Sequence, residues 1–436
     1  MFRPAGTSRL TIIALLRTLW HHRLARQSRL MLFWALATRS ITFFTSVWMI
    51  RCMGPENLGI SGTVLGASSV VALFSNLGLD IVGVRRISVN KENAKELIQL
   101  VVGLRTRLSF AYAAIWLLCV LLLVDKSPTA LLPWLLGAPL IITASLNTSW
   151  ILQGLEEVPL QTRSTALSAL LAGGIYCAFF RPGMPAGADL AVIWVTTLCA
   201  LIYNWSIIRQ RLVAGAFGAF NWSKALTLLW DARGAFGIVL SLAGYLQLDV
   251  LFVAYFRSAA DVGEYRCALT LIGVVTTVTA VVPTLLYPRF AVWHRQGARL
   301  LWSRQIQITA LLSLVGLLLS PVVLFASRPM FHILFGLRFD GAVTPFILLA
   351  IASIIVLING VFAWALIAAG RDGEFFMLSV ATSIVSVVVN LLVVPTYGIT
   401  GAAATRVGCE CMILLGCFWC SWRYVANHGE CGVCSA

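Results

Sequence analysis

Six side chains of this sequence are candidates for chemistry because they are charged and lie in stretches that are otherwise apolar. Arg39 lies near the centre of residues 31–50, MLFWALATRSITFFTSVWMI. An arginine at the middle of a membrane helix costs about 2.5–3.5 kcal/mol even on the gentler insertion scales, so a role for it is expected. The other five are two arginines and three acids, Arg266, Arg406, Asp80, Asp249 and Glu410.

The two signs of charge indicate two kinds of chemistry. A guanidinium keeps its charge at any physiological pH, so Arg39, Arg266 and Arg406 are candidate substrate-binding residues. A carboxyl group in an apolar helix can exchange a proton or hold a sodium ion, so Asp249, Glu410 and Asp80 are candidate ion-coupling residues. The structural alternative is that Arg39 pairs with Asp249 or Asp80, and Arg406 with Glu410 one turn later, only to hold helices together.

Small and polar residues share one helical face in each of the first two apolar stretches. They are Ala35, Arg39, Thr42 and Ser46 in the first, and Gly62, Gly66, Ser69, Asn76 and Asp80 in the second. We therefore expect these faces to line one wall of a cavity, which Asp249 would approach from the opposite side.

The elements that must position these residues are membrane helices. Of the 436 residues, 59% are hydrophobic and 11% are charged, whereas soluble proteins carry roughly 25% charged residues. A window of about 20 apolar residues per crossing predicts an all-α fold of twelve transmembrane helices. They cover residues 31–50, 60–83, 108–124, 130–152, 164–180, 188–208, 236–256, 266–288, 305–327, 343–369, 375–394 and 399–422.

The distribution of lysine and arginine predicts the orientation of these helices. One side of the membrane receives 23 of these residues and the other receives six, so both termini should be cytoplasmic. The net charge of +15 is therefore mainly a topology signal with some attraction to anionic membrane lipids, and no nucleic-acid partner is expected. The predicted organisation is a basic amphipathic arm (1–30), a six-helix half (31–208), a cytoplasmic linker (209–235), a second six-helix half (236–422) and a tail with cysteines (423–436).

The two halves begin alike. Gly59 is followed after 26 residues by Arg85, and Gly263 is followed after 26 residues by Arg289, so the two helix pairs align without a gap. Internal symmetry of this kind is typical of secondary transporters, which bind their cargo where two halves meet. It predicts two pseudo-symmetric halves around a central cavity.

Several short motifs carry a resemblance to a known family. They are MGPENLGISG, SNLGLDIVGVRRIS, WILQGLEE, LDVLFVAYF followed by ADVGEY, and NLLVVPTYGITGAAAT. In this order and spacing the chain resembles, from about residue 31 onward, the polysaccharide transporters of the multidrug/oligosaccharidyl-lipid/polysaccharide exporter superfamily. Independently of this resemblance, Gly54, Pro55 and Gly59 predict a tight turn, and Pro395 and Gly398 predict a helix break.

The resemblance implies a flippase for a polyprenyl-pyrophosphate-linked oligosaccharide in the bacterial cytoplasmic membrane. It places cationic residues in the cavity, where the forked guanidinium of Arg39 would meet the pyrophosphate. It also implies coupling to H⁺ or Na⁺ and possible contact with polysaccharide polymerase and assembly proteins. Two alternatives are a multidrug-type cation antiporter of the same superfamily and a membrane polymerase or ligase. The antiporter needs a net acidic cavity, and such enzymes need a large outer loop that this chain lacks.

Two C-x-x-C pairs near the end of the chain superficially resemble a zinc site. They are Cys417 with Cys420, and Cys431 with Cys434. The first pair lies among aromatic residues at the end of a predicted membrane helix, where cysteine usually acts as a small apolar filler. We predict no metal site and no cofactor.

Overall fold

The computed structural model describes residues 23–91, 94–211 and 220–428 of the chain. These residues form helices joined by short turns, and no strand occurs in the part of the chain so described. The arrangement confirms the predicted all-α fold. Most of the basic amphipathic arm, as well as Cys431 and Cys434, lies outside the described residues.

Fourteen α-helices and one 3₁₀ helix make up the described chain. The first half contains α1 (Arg23–Asn76), α2 (Leu79–Val89), α3 (Ala94–Leu123), α4 (Pro128–Leu135), α5 (Gly137–Ser145), α6 (Ser149–Gly154), α7 (Val158–Phe179) and α8 (Ala188–Arg211). The second half contains α9 (Trp222–Leu246), α10 (Leu248–Phe256), α11 (Ala259–Gln296), α12 (Ala298–Phe335), the 3₁₀ helix (Leu337–Ala342), α13 (Val343–Ala368) and α14 (Asp372–His428).

Two of these helices are kinked and much longer than one crossing requires. Among the described residues, eight helical segments are long and apolar enough to cross a membrane, and those in α1 and α14 are 40 and 55 residues long. About 20 residues span the hydrocarbon core. Each long helix bends at a glycine with positive φ, Gly54 (φ 74°) or Gly398 (φ 58°), as the motifs around them predict. Each therefore contains two predicted crossings, while the exact number of twelve remains a prediction.

Three predicted spans are interrupted. Residues 60–83 break at Leu77 and Gly78, which both have positive φ, before α2 begins. Residues 130–152 form α4, α5 and α6; α4 is separated from α5 near Pro139, which has no N–H to continue the helix, and α5 ends at Ser145. Residues 236–256 divide at Gln247 between α9 and α10.

The halves are joined by a hydrophobic core at each end of the bundle. We call the end at Gly54, Ser258 and Gly398 the outer end, and the end at Arg86 and Asp231 the inner end, after the predicted orientation. The outer core joins α1 to α10, α11, α12 and α13. The inner core joins α2, α3 and α6 to α9, so the first helix of the second half packs on the first half.

A backbone contact at the outer end relates the two halves by their repeat. A Cβ atom on Gly59 would collide with the carbonyl oxygen of Ala259, and one on Gly263 would collide with the carbonyl oxygen of Pro55. The alignment that pairs Gly59 with Gly263 also pairs Pro55 with Ala259, so the contact is reciprocal. The tight turn predicted for MGPENLG is confined to Gly54, because Gly59 is helical and is needed for this crossing.

Candidate functional site

The six predicted site residues do not form one site. They separate into an exposed arginine on α1, a buried ion pair between the halves, a polar cluster inside the second half and a polar cluster inside the first half. The expected wall of two polar stripes is therefore only partly correct. The outer part of the second stripe packs against the other half, since Gly62 faces Arg266 and Gly66 faces Leu251.

Arg39 is exposed, but the face of α1 on which it lies becomes buried toward the outer end. Ile50 follows it by three helical turns on the same face and is 0% exposed within the outer core, where both halves meet. Arg39 and Thr42 are exposed. Among the residues that the structure describes, no ion pair or hydrogen bond engages the Arg39 guanidinium. The structural alternative, in which Arg39 pairs with Asp80 or Asp249, is not found, because both acids have other partners.

Arg266 links the two halves at the outer end. Its Nη2 atom lies 2.8 Å from Oδ2 of Asp189 on α8, and its Nη1 atom donates to the carbonyl oxygen of Leu58, 3.2 Å away. Asp189 is fully buried and Arg266 is 13% exposed. Gly62 gives the arginine room, since a Cβ there would lie 3.0 Å from its Cδ. In this conformation Arg266 is part of the closed outer end and not of an open cavity.

The second half encloses a polar cluster beside a cavity of about 560 Å³. Arg406 and Glu410 line the cavity and pair over 3.3 Å, as in the structural alternative, and Asn359 donates to the other Glu410 oxygen over 2.9 Å. Asp249 is buried nearby, where the Tyr265 hydroxyl donates to its carboxylate over 2.6 Å. Arg406 interacts electrostatically with both acids. The Asp249 carboxylate therefore belongs to the second half's own cluster, while its neighbours Val250 and Leu251 contact α1 at Gly66.

The inner part of the first half holds the remaining acid. Asp80 accepts hydrogen bonds from Asn76 and Arg105 over 2.7 and 2.8 Å, and the Arg105 guanidinium lies 5.7 Å from the centre of the Trp150 ring. Arg105 is 2% exposed, whereas Asp80 is 33% exposed. This arrangement fixes α1, α2, α3 and α6 to one another, and it gives Asp80 a permanent cationic partner.

Three residues of these clusters were not predicted from the sequence. Arg105 was assigned to a basic cytoplasmic segment, but α3 begins at Ala94 and the arginine is buried. Asp189 stands at the start of a predicted span, where an acid near an apolar run could have marked it. Tyr265 offered no signal, because its contact with Asp249 depends on how α10 meets α11.

A family model described as "Polysaccharide biosynthesis protein" matches residues 25–294, which is more than half of the chain. The chain belongs to this family. The match spans α1 to most of α11 and therefore includes Arg39, both residues of the Asp189 and Arg266 pair, and Asp249. The resemblance that the motifs indicated is confirmed.

Three similar proteins agree with this membership of the polysaccharide biosynthesis protein family. A protein of Escherichia coli K12 named as an O-antigen transporter is 21% identical over 86% of this chain and 90% of its own length. The lipid II flippase MurJ in an inward closed conformation has a TM-score of 0.68, with 13% identity over 90% of this chain and 87% of MurJ. An inward-facing MATE family transporter of the MOP superfamily has a TM-score of 0.66, with 12% identity over 91% and 96%.

These comparisons fix the class of the protein. The two solved structures show the shared fold, which is that of MOP superfamily transporters. The family and the named relative support a multi-pass membrane transporter in polysaccharide biosynthesis. They confirm the prediction of a transporter and disfavour the polymerase or ligase alternative.

Proposed function

We propose that this protein moves a polyprenyl-diphosphate-linked oligosaccharide from the cytoplasmic to the outer leaflet of a bacterial inner membrane. The two halves alternate between inner and outer openings, and both termini are cytoplasmic. The observation that carries the proposal is the position of Arg39. Its face is buried between the halves at the outer end and exposed nearer the inner end, which is the arrangement of a binding group in a cleft open toward the inside.

The chemistry of Arg39 fits a diphosphate. A guanidinium binds phosphate oxygens through two parallel N–H groups and keeps its charge as the cleft changes its exposure. Its lack of a carboxylate partner among the described residues leaves these donors available. The predicted roles of Arg266 and Arg406 need modification, because each is already paired with a buried acid. Of the three predicted arginines, only Arg39 keeps an assignment to substrate binding in this conformation.

The cluster in the second half supports proton coupling. Both oxygens of Asp249 and both oxygens of Glu410 accept a hydrogen bond from Val250, Tyr265, Arg406 or Asn359. A sodium ion needs several free oxygen ligands, whereas a proton needs only one carboxylate oxygen. Arg406 already supplies a cation that pairs with Glu410 and interacts electrostatically with Asp249. Asp249 is the proposed proton carrier, and Tyr265 and Arg406 are the ionisable groups that face it.

A flipping assay tests the role of Arg39. Purified protein in proteoliposomes should expose a fluorescent polyprenyl-diphosphate oligosaccharide to a quencher added outside. Arg39→Ala should slow this flipping about 10- to 100-fold, because a charge-assisted hydrogen bond contributes about 1.5–3 kcal/mol. Arg39→Lys should restore part of the rate, since lysine keeps the charge and loses the fork.

The matched control is Arg163→Ala. Arg163 is an exposed arginine near the inner end of α7, and its substitution should leave the rate unchanged. All three variants should insert in normal amounts, because neither arginine holds a buried acid. A fully active Arg39→Ala protein would exclude Arg39 from the translocation path, and a wild-type protein that moves no lipid would overturn the function itself.

A further inference from the structure

A large groove at the inner end lies between the two halves. Its walls are α2 and α3 of the first half and α9 of the second, and its volume is about 980 Å³. This is at the upper end of the roughly 300–1,000 Å³ typical of small-molecule sites. The groove closes where Gly78 meets the backbone of Ala235 and Phe236, so it does not continue through the bundle.

The groove carries one cation in excess. Arg86 pairs with Asp231 over 2.7 Å, and Lys224 pairs with Glu96, so both ion pairs bridge the two halves. Arg85 also lines the groove and is exposed. In the described part of the chain its guanidinium has no hydrogen bond and no ion pair. The free charge in the groove is therefore a guanidinium, whose forked N–H groups have the geometry that suits a phosphate.

The rest of the wall is largely aliphatic. The apolar lining residues are Ile81, Val82, Val89, Leu97, Leu100 and Leu228. Val89 is 84% exposed and Ile81 is 46% exposed, so apolar surface is accessible from outside the groove. A ligand that complements this site has an apolar chain next to an anionic group.

We propose that this groove is a docking site for the prenyl-diphosphate end of the transported lipid, in which Arg85 holds the diphosphate and the aliphatic wall holds the first isoprenoid units. The site precedes Arg39 in the transport cycle, and the inference rests on the proposed function. A bulk phospholipid is the weaker candidate, because the walls belong to both halves. Binding here can therefore be released when the halves rearrange and the bridging ion pairs break.

Binding of farnesyl diphosphate to the purified full-length protein tests this site. Arg85→Ala should weaken binding at least tenfold, and Arg85→Lys should weaken it less. Farnesol, which lacks the anion, should bind more weakly than farnesyl diphosphate and equally to the wild type and Arg85→Ala. Thr227→Trp, which fills the groove from α9 without removing a charge, should also weaken binding of farnesyl diphosphate.

The controls separate this proposal from the function on which it rests. Arg163→Ala, which changes an exposed arginine outside the groove, should bind farnesyl diphosphate as the wild type does. Binding that depends on Arg85 in a protein unable to flip lipid would contradict the function and leave the site intact. Equal binding by Arg85→Ala and the wild type would overturn the site, as would equal competition by phosphatidylglycerol.

Discussion

The pair of Asp189 and Arg266 is the residue-scale feature that holds the outer end closed. Its two side chains come from different halves, and both are largely withdrawn from solvent. One oxygen of Asp189 has no hydrogen-bond partner among the described residues, so the carboxylate depends on the arginine. An outward-open state separates the halves here and must replace this interaction with water.

Asp189→Ala should shift the protein toward outer opening. The substitution leaves the Arg266 guanidinium buried without its carboxylate, which costs about 3–5 kcal/mol and is relieved by hydration when the outer end opens. Cys267 follows Arg266 in α11 and is 0% exposed. In a protein that retains only this cysteine, its labelling by an impermeant maleimide added outside should accelerate at least tenfold.

The control for this measurement is Asp340→Ala. Asp340 pairs with Arg328 over 3.1 Å, but both residues belong to the second half and their side chains are largely exposed. Labelling of Cys267 should not change in this variant. Slow labelling in Asp189→Ala would mean that the apolar core alone keeps the outer end closed.

Sequence reasoning located the charges but not their partners. Arg406 and Glu410 could be paired because they are one turn apart on one helix. The partners of Asp80, Asp249 and Arg266 lie on other helices, and helical spacing says nothing about which helices meet. Burial of Arg105 was missed because its neighbour Arg107 made the segment look like a cytoplasmic loop.

Glycines at the crossing of α1 and α11 are the feature that matters at the scale of elements. Without a hydrophobic driving force between helices in lipid, close packing depends on small residues that let backbones approach. Gly59 and Gly263 provide this approach at the outer end. Gly173 allows a similar approach of α7 to α1, since a Cβ there would lie 3.0 Å from Cγ2 of Thr45.

Gly59→Ala and Gly263→Ala should each lower the stability of the folded protein. A methyl group at either position meets backbone atoms that cannot rotate away, and overpacking costs about 1–3 kcal/mol or more. Gly174→Ala is the matched control, since nothing lies within 4 Å of a Cβ there and alanine favours the helix by up to about 1 kcal/mol. Thermal unfolding in detergent should show lower midpoints for the first two variants only. An unchanged midpoint for Gly59→Ala would mean that the helices can separate freely.

The positions of the spans could be predicted because the hydrocarbon core requires long apolar runs, and such runs are visible in the sequence. Their interruptions were harder to predict. The break at Gly78 allows a contact with Phe236, which is distant in sequence, whereas Pro139 is a local feature next to the break between α4 and α5. Gly59 of MGPENLG was expected in a turn. It is a packing residue instead, because it meets the backbone of Ala259, which is also distant in sequence.

At the scale of the whole molecule, the residues proposed for substrate binding and for proton coupling lie in different halves. Arg39 belongs to the first half, and the cluster of Asp249, Arg406 and Glu410 belongs to the second. No contact between Arg39 and this cluster occurs among the described residues. Coupling between an anionic cargo and a proton must therefore pass through the relative movement of the halves.

Lipid flipping should accelerate in proteoliposomes that are more acidic on the outer-end side, in buffers free of sodium. A sodium gradient at equal pH should have no effect, because the carboxylate oxygens of Asp249 and Glu410 are already occupied by protein donors. Asp249→Asn should flip lipid at one rate with or without the pH gradient. Asp125→Asn, which changes an exposed acid between α3 and α4, should respond as the wild type does. Stimulation by sodium alone would contradict proton coupling.

Gly59 meets Ala259, and the equivalent Gly263 meets the equivalent Pro55. This is the form of an isologous dimer interface, in which the same two contacts occur once in each direction. In a true dimer of identical chains, one substitution changes both sides of such an interface at once. In a single chain with two similar halves, a substitution changes only one side of the contact. The same alignment pairs Gly62 with Arg266, and these two residues touch. An identical pair would place arginine against arginine or glycine against glycine. Because the two halves differ in sequence, one half provides the charge and the other provides the space for it.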